Sequence, residues 1–421
     1  GAAASSMTNS AVTANAAGLQ YGGLYGQATF AGVRNSIIAA NTAPATPDLS
    51  TAEIFNSCVP GIFPGNGNID VDPQFADPVN RNFRLLASSP CKNVGDNAAV
   101  AGTLDLDKTP RIFNFNVDMG AYESTALPPS VYVDLANATP VFPYATWATA
   151  ATSIQDGVDA ATLDATVFVT NGVYQTGSRI ASGGGYGGAT PNRVAIEKRI
   201  IVRSMNGPAA TSIVGAGPLG NSAIRGVWLQ DNAWLIGFTV TNGCTRAGES
   251  GGGVKVGYLS YGSVSNCVIA AGQATYGGGA SGGLYFDSTL RGNQAVTSGG
   301  GASSATLERC TLADNAVTQF FGGGAYFCTL RDCVVSGNSV GGANASGGGT
   351  YDCWVEGGSI VANTGHYGGG DAESILNNTL ISGNTATYAG GGAYNSTLVA
   401  CTVSNNTATL YGGGTYESTV S

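Results

Sequence analysis

Along the last third of the chain, short runs of alternating Thr, Val, Leu and Ile are broken every few residues by Asn or Gly. Nothing there recurs at the 3.6-residue spacing of a helix. The clearest run, TLERCTLADNAVTQFFGGGAYFC from Thr306 to Cys328, returns from Thr397 as TLVACTVSNNTATLYGGGTYES. Aligned on their Gly triplets, these units share the pattern T-L-x-x-C-T-V-x-x-N-x-A-x-x-Y-G-G-G-x-Y-x-S. Two or three strands per unit are too few to bury a core alone, so each coil must stack on the next. The pattern predicts an all-β, right-handed parallel β-helix solenoid, with coils of about 22 residues and ladders of Asn and aromatic side chains.

The repeated Asn falls at Asn293, Asn315, Asn338, Asn363, Asn384 and Asn406, separated by 22, 23, 25, 21 and 22 residues. A carboxamide both donates and accepts, and Asn tolerates left-handed backbone, so one Asn per coil at a turn predicts a structural ladder. Aromatic rings recur before the triplet at Tyr276, Phe321, Tyr367, Tyr388 and Tyr411, and after it at Tyr326, Tyr351, Tyr394 and Tyr416. These predict stacked columns; an exposed column would suit sugar faces or a neighbouring subunit. Weaker coils near the N-terminus place Asn15 and Asn41 at the ladder position. From about Pro44 the pattern gives way to Pro, Asp and Gly turns, ending in the linker TALPPS. Beyond it, Ile154 and Val158 stand at helical spacing between Ser153 and Ala161, which predicts a short amphipathic segment over the open end of a new column.

Two stretches carry a family resemblance. DPQFADP, NFRLLASSPCKNVG and VDMGAYE, between Asp72 and Glu123, resemble the C-terminal region of bacterial choice-of-anchor Q domain surface proteins. YVDLANATP, ATWATAATSIQDGVDAA and VFVTNGVY, between Tyr132 and Tyr174, resemble the opening segment of right-handed parallel β-helices of the pectin-lyase-like superfamily. The resemblance implies residues 1–50 as the final coils of one β-helix and 51–125 as its irregular C-terminal segment. It implies 126–131 as a linker, 132–225 as the opening segment and first coils of a second β-helix, and 226–421 as regular Gly-rich coils. That superfamily holds lyases, hydrolases, adhesins and shafts, so it implies a fold more than an activity.

Charge narrows the partners. Four Lys and 13 Arg are scattered without a basic cluster in a chain of net charge -9, which argues against nucleic acid and anionic membranes. No apolar run reaches the length of a membrane span. Polysaccharide-cleaving enzymes need paired acids or a cation beside a base. Asp314, Asp332, Asp352, Asp371 and Glu373 occupy different repeat positions and read as solvated, while the single histidine, His366, reads as an ordinary coil residue. No catalytic constellation emerges.

The alternating acids Asp70 with Asp72 and Asp105 with Asp107 are the calcium candidates; no other cofactor is expected. Cys267, Cys310, Cys333 and Cys401 share one repeat position and Cys328 and Cys353 another, where small inward side chains stack as free thiols. Cys58 with Cys91 is the disulfide candidate.

Thr419, Val420 and Ser421 read as the opening strand of a further coil, and Gly1 to Ser10 aligns with Gly301 to Cys310. Both ends therefore read as open, which predicts that the chain's partner is itself, head to tail, in a filament or tandem array. The expectation is an extracellular or cell-surface structural or adhesive protein that also suits surface glycans. The alternative is a secreted polysaccharide lyase or hydrolase, or a non-catalytic carbohydrate-binding β-helix.

Overall fold

The computed structural model describes residues 6–20, 22–24, 32–45, 53–59, 61, 67–86, 88–112, 116–124, 130–182, 190–230, 232–257 and 261–421. Two compact units divide the chain between Leu127 and Pro128. Most of the expected linker lies outside the described residues; its last two positions, Ser130 and Val131, already belong to strand Ser130–Val133.

The C-terminal unit is a parallel β-solenoid whose strands stack into four sheets, here called faces A to D. Face A runs through 12 strands from Ser130–Val133 to Thr419–Val420, and face B through ten from Gly172–Tyr174 to Thr402–Ser404. Face C has seven, from Gln273–Tyr276 to Thr407–Ala408, and face D ten, from Asn192–Ile196 to Thr415–Tyr416. One coil shows the circuit: Thr306–Glu308 on face A, Thr311–Ala313 on B, Ala316–Val317 on C and Ala325–Tyr326 on D. At about 4.8 Å per coil, face A extends for roughly 50 Å.

Alternation within these strands fills the column. Leu307, Leu312 and Ala325 point inward and are fully buried, and their counterparts in neighbouring coils continue one core from Val131 to Leu398. The corners need left-handed backbone: Arg309, Asp314 and Phe327 have φ of 51°, 53° and 52°. At the corner before face D, Gly322 has φ of 63°, and a Cβ on Gly323 would stand 2.3 Å from the Gly348 carbonyl oxygen. The triplet therefore combines a left-handed turn with a close approach that excludes any side chain.

A helix, Ile154–Ala160, packs over the first strands of faces A and D. Ser153 caps it by accepting from the Asp156 amide, and Ile154 and Val158 enter the core.

In the N-terminal unit, Ser6–Thr8, Gly32–Arg34 and Ile54–Phe55 pair in parallel, as do Ala11–Thr13 and Ile37–Ala39. Asn15 Nδ2 donates to Asn41 Oδ1 at 2.9 Å. An antiparallel pair, Phe75–Asp77 with Asn82–Leu85, packs its apolar side chains with Cys58, Cys91 and Met119. Among the described residues no helix is long and apolar enough to cross a membrane.

Candidate functional site: a ring-lined face and its groove

The six Asn residues of the regular coils form one continuous chain of hydrogen bonds. Each Nδ2 donates to the next Oδ1, at 2.9 to 3.0 Å from Asn293 to Asn406, and also to a backbone carbonyl of the preceding coil. Each Oδ1 from Asn315 onward accepts twice, from the amide and the carboxamide of the Asn before it. From Asn315 to Asn384 both donors and both lone pairs of the carboxamide are thereby used, so nothing is left there to bind a ligand.

The aromatic positions are arranged differently from a simple column. In register across successive coils stand Tyr276, Ser298, Phe321, Ser346, Tyr367, Ala389 and Tyr411. Rings thus alternate with small residues, one ring for every two coils. Tyr388 lies one residue outside this register, because a bulge pairs Tyr367 with Ala389, yet its ring still reaches Tyr367 at 5.0 Å and Tyr411 at 5.7 Å. The spaces beside the small residues are filled from face D. There the outward row runs Trp228, Lys255, Ser281, Ser303, Tyr326, Tyr351, Ala372, Tyr394, Tyr416.

The two rows interlock. Phe321 meets Tyr351 at 4.3 Å and Tyr326 at 6.2 Å, and Tyr367 meets Tyr394 at 4.9 Å. Tyr394 stacks on Tyr416 at 5.9 Å with planes 9° apart. Tyr411 is 50% exposed and Tyr276 41%, while the other rings of this belt, from Phe321 to Tyr416, are half-buried. Burial, then a hydrogen bond to Glu373 at 2.7 Å, raise the Tyr351 hydroxyl above the ordinary tyrosine range, so it stays a donor at neutral pH. His366 lies within this belt, bonded to Thr387 Oγ1 at 2.8 Å and set edge-on against Tyr367.

Toward the N-terminal end of the row the rings give way to a groove of about 480 Å³ between Tyr276 and Tyr326. Lys255, Ser281 and Ser303 line it, and among the described residues no carboxylate or imidazole does. Lys255 Nζ donates to Ser281 Oγ at 3.1 Å. Burial, and after it repulsion from Arg225, lower the Lys255 ammonium to about 8. Arg225 itself is enclosed and neutralised by Glu249 at 3.1 Å.

Sequence reasoning missed Lys255, although the signal was available. It stands two residues after its Gly triplet, the position that gives Tyr326 and Tyr351 in later coils.

The acids resolve one by one. Asp314, Asp332, Asp352 and Glu373 are exposed. Asp371, expected in solvent, is fully buried, because it occupies the inward position of face D that is Ala302, Ala325 and Thr350 in earlier coils. In the N-terminal unit, the Asp105 carboxylate accepts backbone amides of Asp107, Thr109 and Glu123 at 2.8 to 2.9 Å. Burial opposes its charge, but these bonds together outweigh it and hold the carboxyl below the ordinary range. Asp107 pairs with Arg84; Asp70 accepts from the Gly61 amide at 2.6 Å and Asp72 from that of Gln74 at 2.9 Å. Each of these acids thus holds protein donors, in its own loop for Asp70 and Asp72 and across to other segments for Asp105 and Asp107. Among the described residues no three His, Cys, Asp or Glu side chains converge as a metal site.

The cysteines of the regular coils are buried thiols, apart from the half-buried Cys401. Burial raises Cys267 to about 11, keeping it protonated. Cys58 and Cys91 stand together as two free, buried thiols, and a hydrogen bond between them, then burial, pushes Cys91 upward.

No family model matches the chain, and no curated protein matches it in sequence. Among solved structures, the chain is similar to a rhamnogalacturonan lyase, with 14% identity, 64% of this chain and 74% of that one covered, and a TM-score of 0.35. It is also similar to the Azotobacter vinelandii mannuronan C-5 epimerase AlgE6 A-module, with 15% identity, coverage of 63% and 74%, and a TM-score of 0.23.

Proposed function

We propose that this chain is an extracellular structural or adhesive β-solenoid that holds carbohydrate against its ring-lined face without transforming it. The observation that carries the reading is the belt of interlocked rings from Phe321 to Tyr416, partly exposed along one side of the solenoid. Flat pyranose faces stack on such rings, and the coil spacing of about 4.8 Å is close to the advance of one sugar in an extended chain. Tyrosine hydroxyls and the carboxylate of Glu373 add polar partners at the rim of the belt.

The groove supports holding over cleavage, since an acid and base pair flanking a glycosidic bond is missing from its lining residues. The test is affinity electrophoresis of the full chain through a panel of polysaccharides, alongside an assay for new reducing ends and unsaturated products. Retardation by at least one glycan without turnover is expected, weakened severalfold in Tyr411→Ala. Turnover of the bound glycan, or no retardation across the panel, would sink the proposal.

A further inference from the structure

Resting on that carbohydrate-binding reading, we infer that the groove around Lys255 is an oxyanion subsite, which takes a carboxylate or sulfate ester carried on the glycan. The ring belt alone would treat charged and neutral sugars alike. At its N-terminal end, however, the same outward row of face D changes from tyrosine to Ser303, Ser281 and Lys255. These offer two hydroxyls and an ammonium to one groove, flanked by the rings of Tyr276 and Tyr326.

The ammonium is the unexplained feature. Lys255 is partly buried, and among the described residues its one hydrogen bond is to a neutral hydroxyl. Among the described residues, the charge acting on it, that of Arg225, is repulsive. Burying a cation without an acid is costly, whereas Arg225, one coil earlier, has Glu249. An oxyanion entering the groove would supply the missing partner, meet Ser281 and Ser303 as further donors, and leave its sugar ring beside Tyr276.

The experiment measures binding of the full chain to unmodified, carboxymethylated and sulfated cello-oligosaccharides of equal length, and to inorganic sulfate. Wild-type protein is compared with Lys255→Gln and Ser281→Ala, each first shown to keep the wild-type circular dichroism spectrum. At least tenfold tighter binding of one or both anionic forms is expected, with Lys255→Gln returning it to the unmodified level and leaving the unmodified oligosaccharide unaffected. The anionic form that is preferred identifies carboxylate or sulfate as the source. Equal affinity for all three, unchanged by Lys255→Gln, would overturn the subsite while carbohydrate binding stands. A preference that survives in Lys255→Gln would overturn its assignment to this groove. Binding of inorganic sulfate without any oligosaccharide would defeat both the glycan-borne ligand and the reading on which it rests.

Discussion

Asp371 gives the most direct test of how this solenoid tolerates polar groups in its column. Its carboxylate is fully buried, accepting from Thr350 Oγ1 at 2.5 Å and from Ser396 Oγ at 2.7 Å. Burial raises its pKa from 3.8 to about 6, against the opposing pull of hydrogen bonds from Ser374, Thr350 and Ser396. Because the folded state holds this proton more tightly than the unfolded chain, the contribution to stability is fully present below about 3.8 and is lost as pH rises through about 6. At about 1.4 kcal/mol for each tenfold change in an equilibrium, the loss by pH 7 is of the order of 3 kcal/mol. Asp371→Asn removes this dependence and keeps the bonds: its Oδ1 still accepts from Thr350, and its Nδ2 donates to Ser396 Oγ, whose own proton goes to the Tyr394 carbonyl. Urea unfolding of both proteins, followed by circular dichroism from pH 4 to pH 8, isolates Asp371 from other acids, including Glu123, which burial raises to about 7. The stability of Asp371→Asn relative to wild type should grow by roughly 2 kcal/mol between pH 4 and pH 7 and then level off. A difference that does not change with pH would refute the argument.

Two further outcomes follow from the same packing logic. Asn338→Ala breaks the ladder in its interior, removing the acceptor of the Asn315 backbone amide and of one Asn315 Nδ2 hydrogen. At about 1 to 3 kcal/mol for each buried group left unsatisfied, a loss of several kcal/mol is expected in thermal or urea unfolding. A loss below about 1 kcal/mol would show that water replaces the side chain. Cys58 and Cys91 are expected to join when the full chain is refolded with oxidised glutathione, leaving seven of the nine cysteines open to alkylation under denaturing conditions. Alkylation of all nine without reductant would rule this pairing out.

The coil itself was legible because its constraints are local and repeated: a Gly that no Cβ can replace, a turn Asn whose four bonding sites need identical neighbours, and a Leu, Val or Ile at the centre of almost every three-residue strand on faces A and B. Side-chain facing was harder to read. Asp371 was expected in solvent because acids usually are, yet counting from its Gly triplet places it where Ala302 and Ala325 point inward. Tyr388 has the same spacing from Asn384 that Tyr367 has from Asn363, but Ala389, next to the Gly triplet, holds the register position.

Lys255 shows the general reason for these misses. A single lysine among scattered charges carries no pattern of its own, and its meaning comes only from the vertical row, which contributes one residue per coil at 21 to 27 residue intervals from Trp228 to Tyr416. In a solenoid the coil fixes the fold while the row fixes the chemistry. The alternation that buries Val254 and Val256 must turn Lys255 outward, and stacking then sets it against Ser281. Replacing a row residue therefore changes the chemistry of the face without altering the inward positions that hold the coil, so a ring-bearing belt and a cationic groove can share one scaffold. That separation lets the binding proposed for this face be altered one coil at a time, whereas substitutions of inward residues such as Asp371 act on stability.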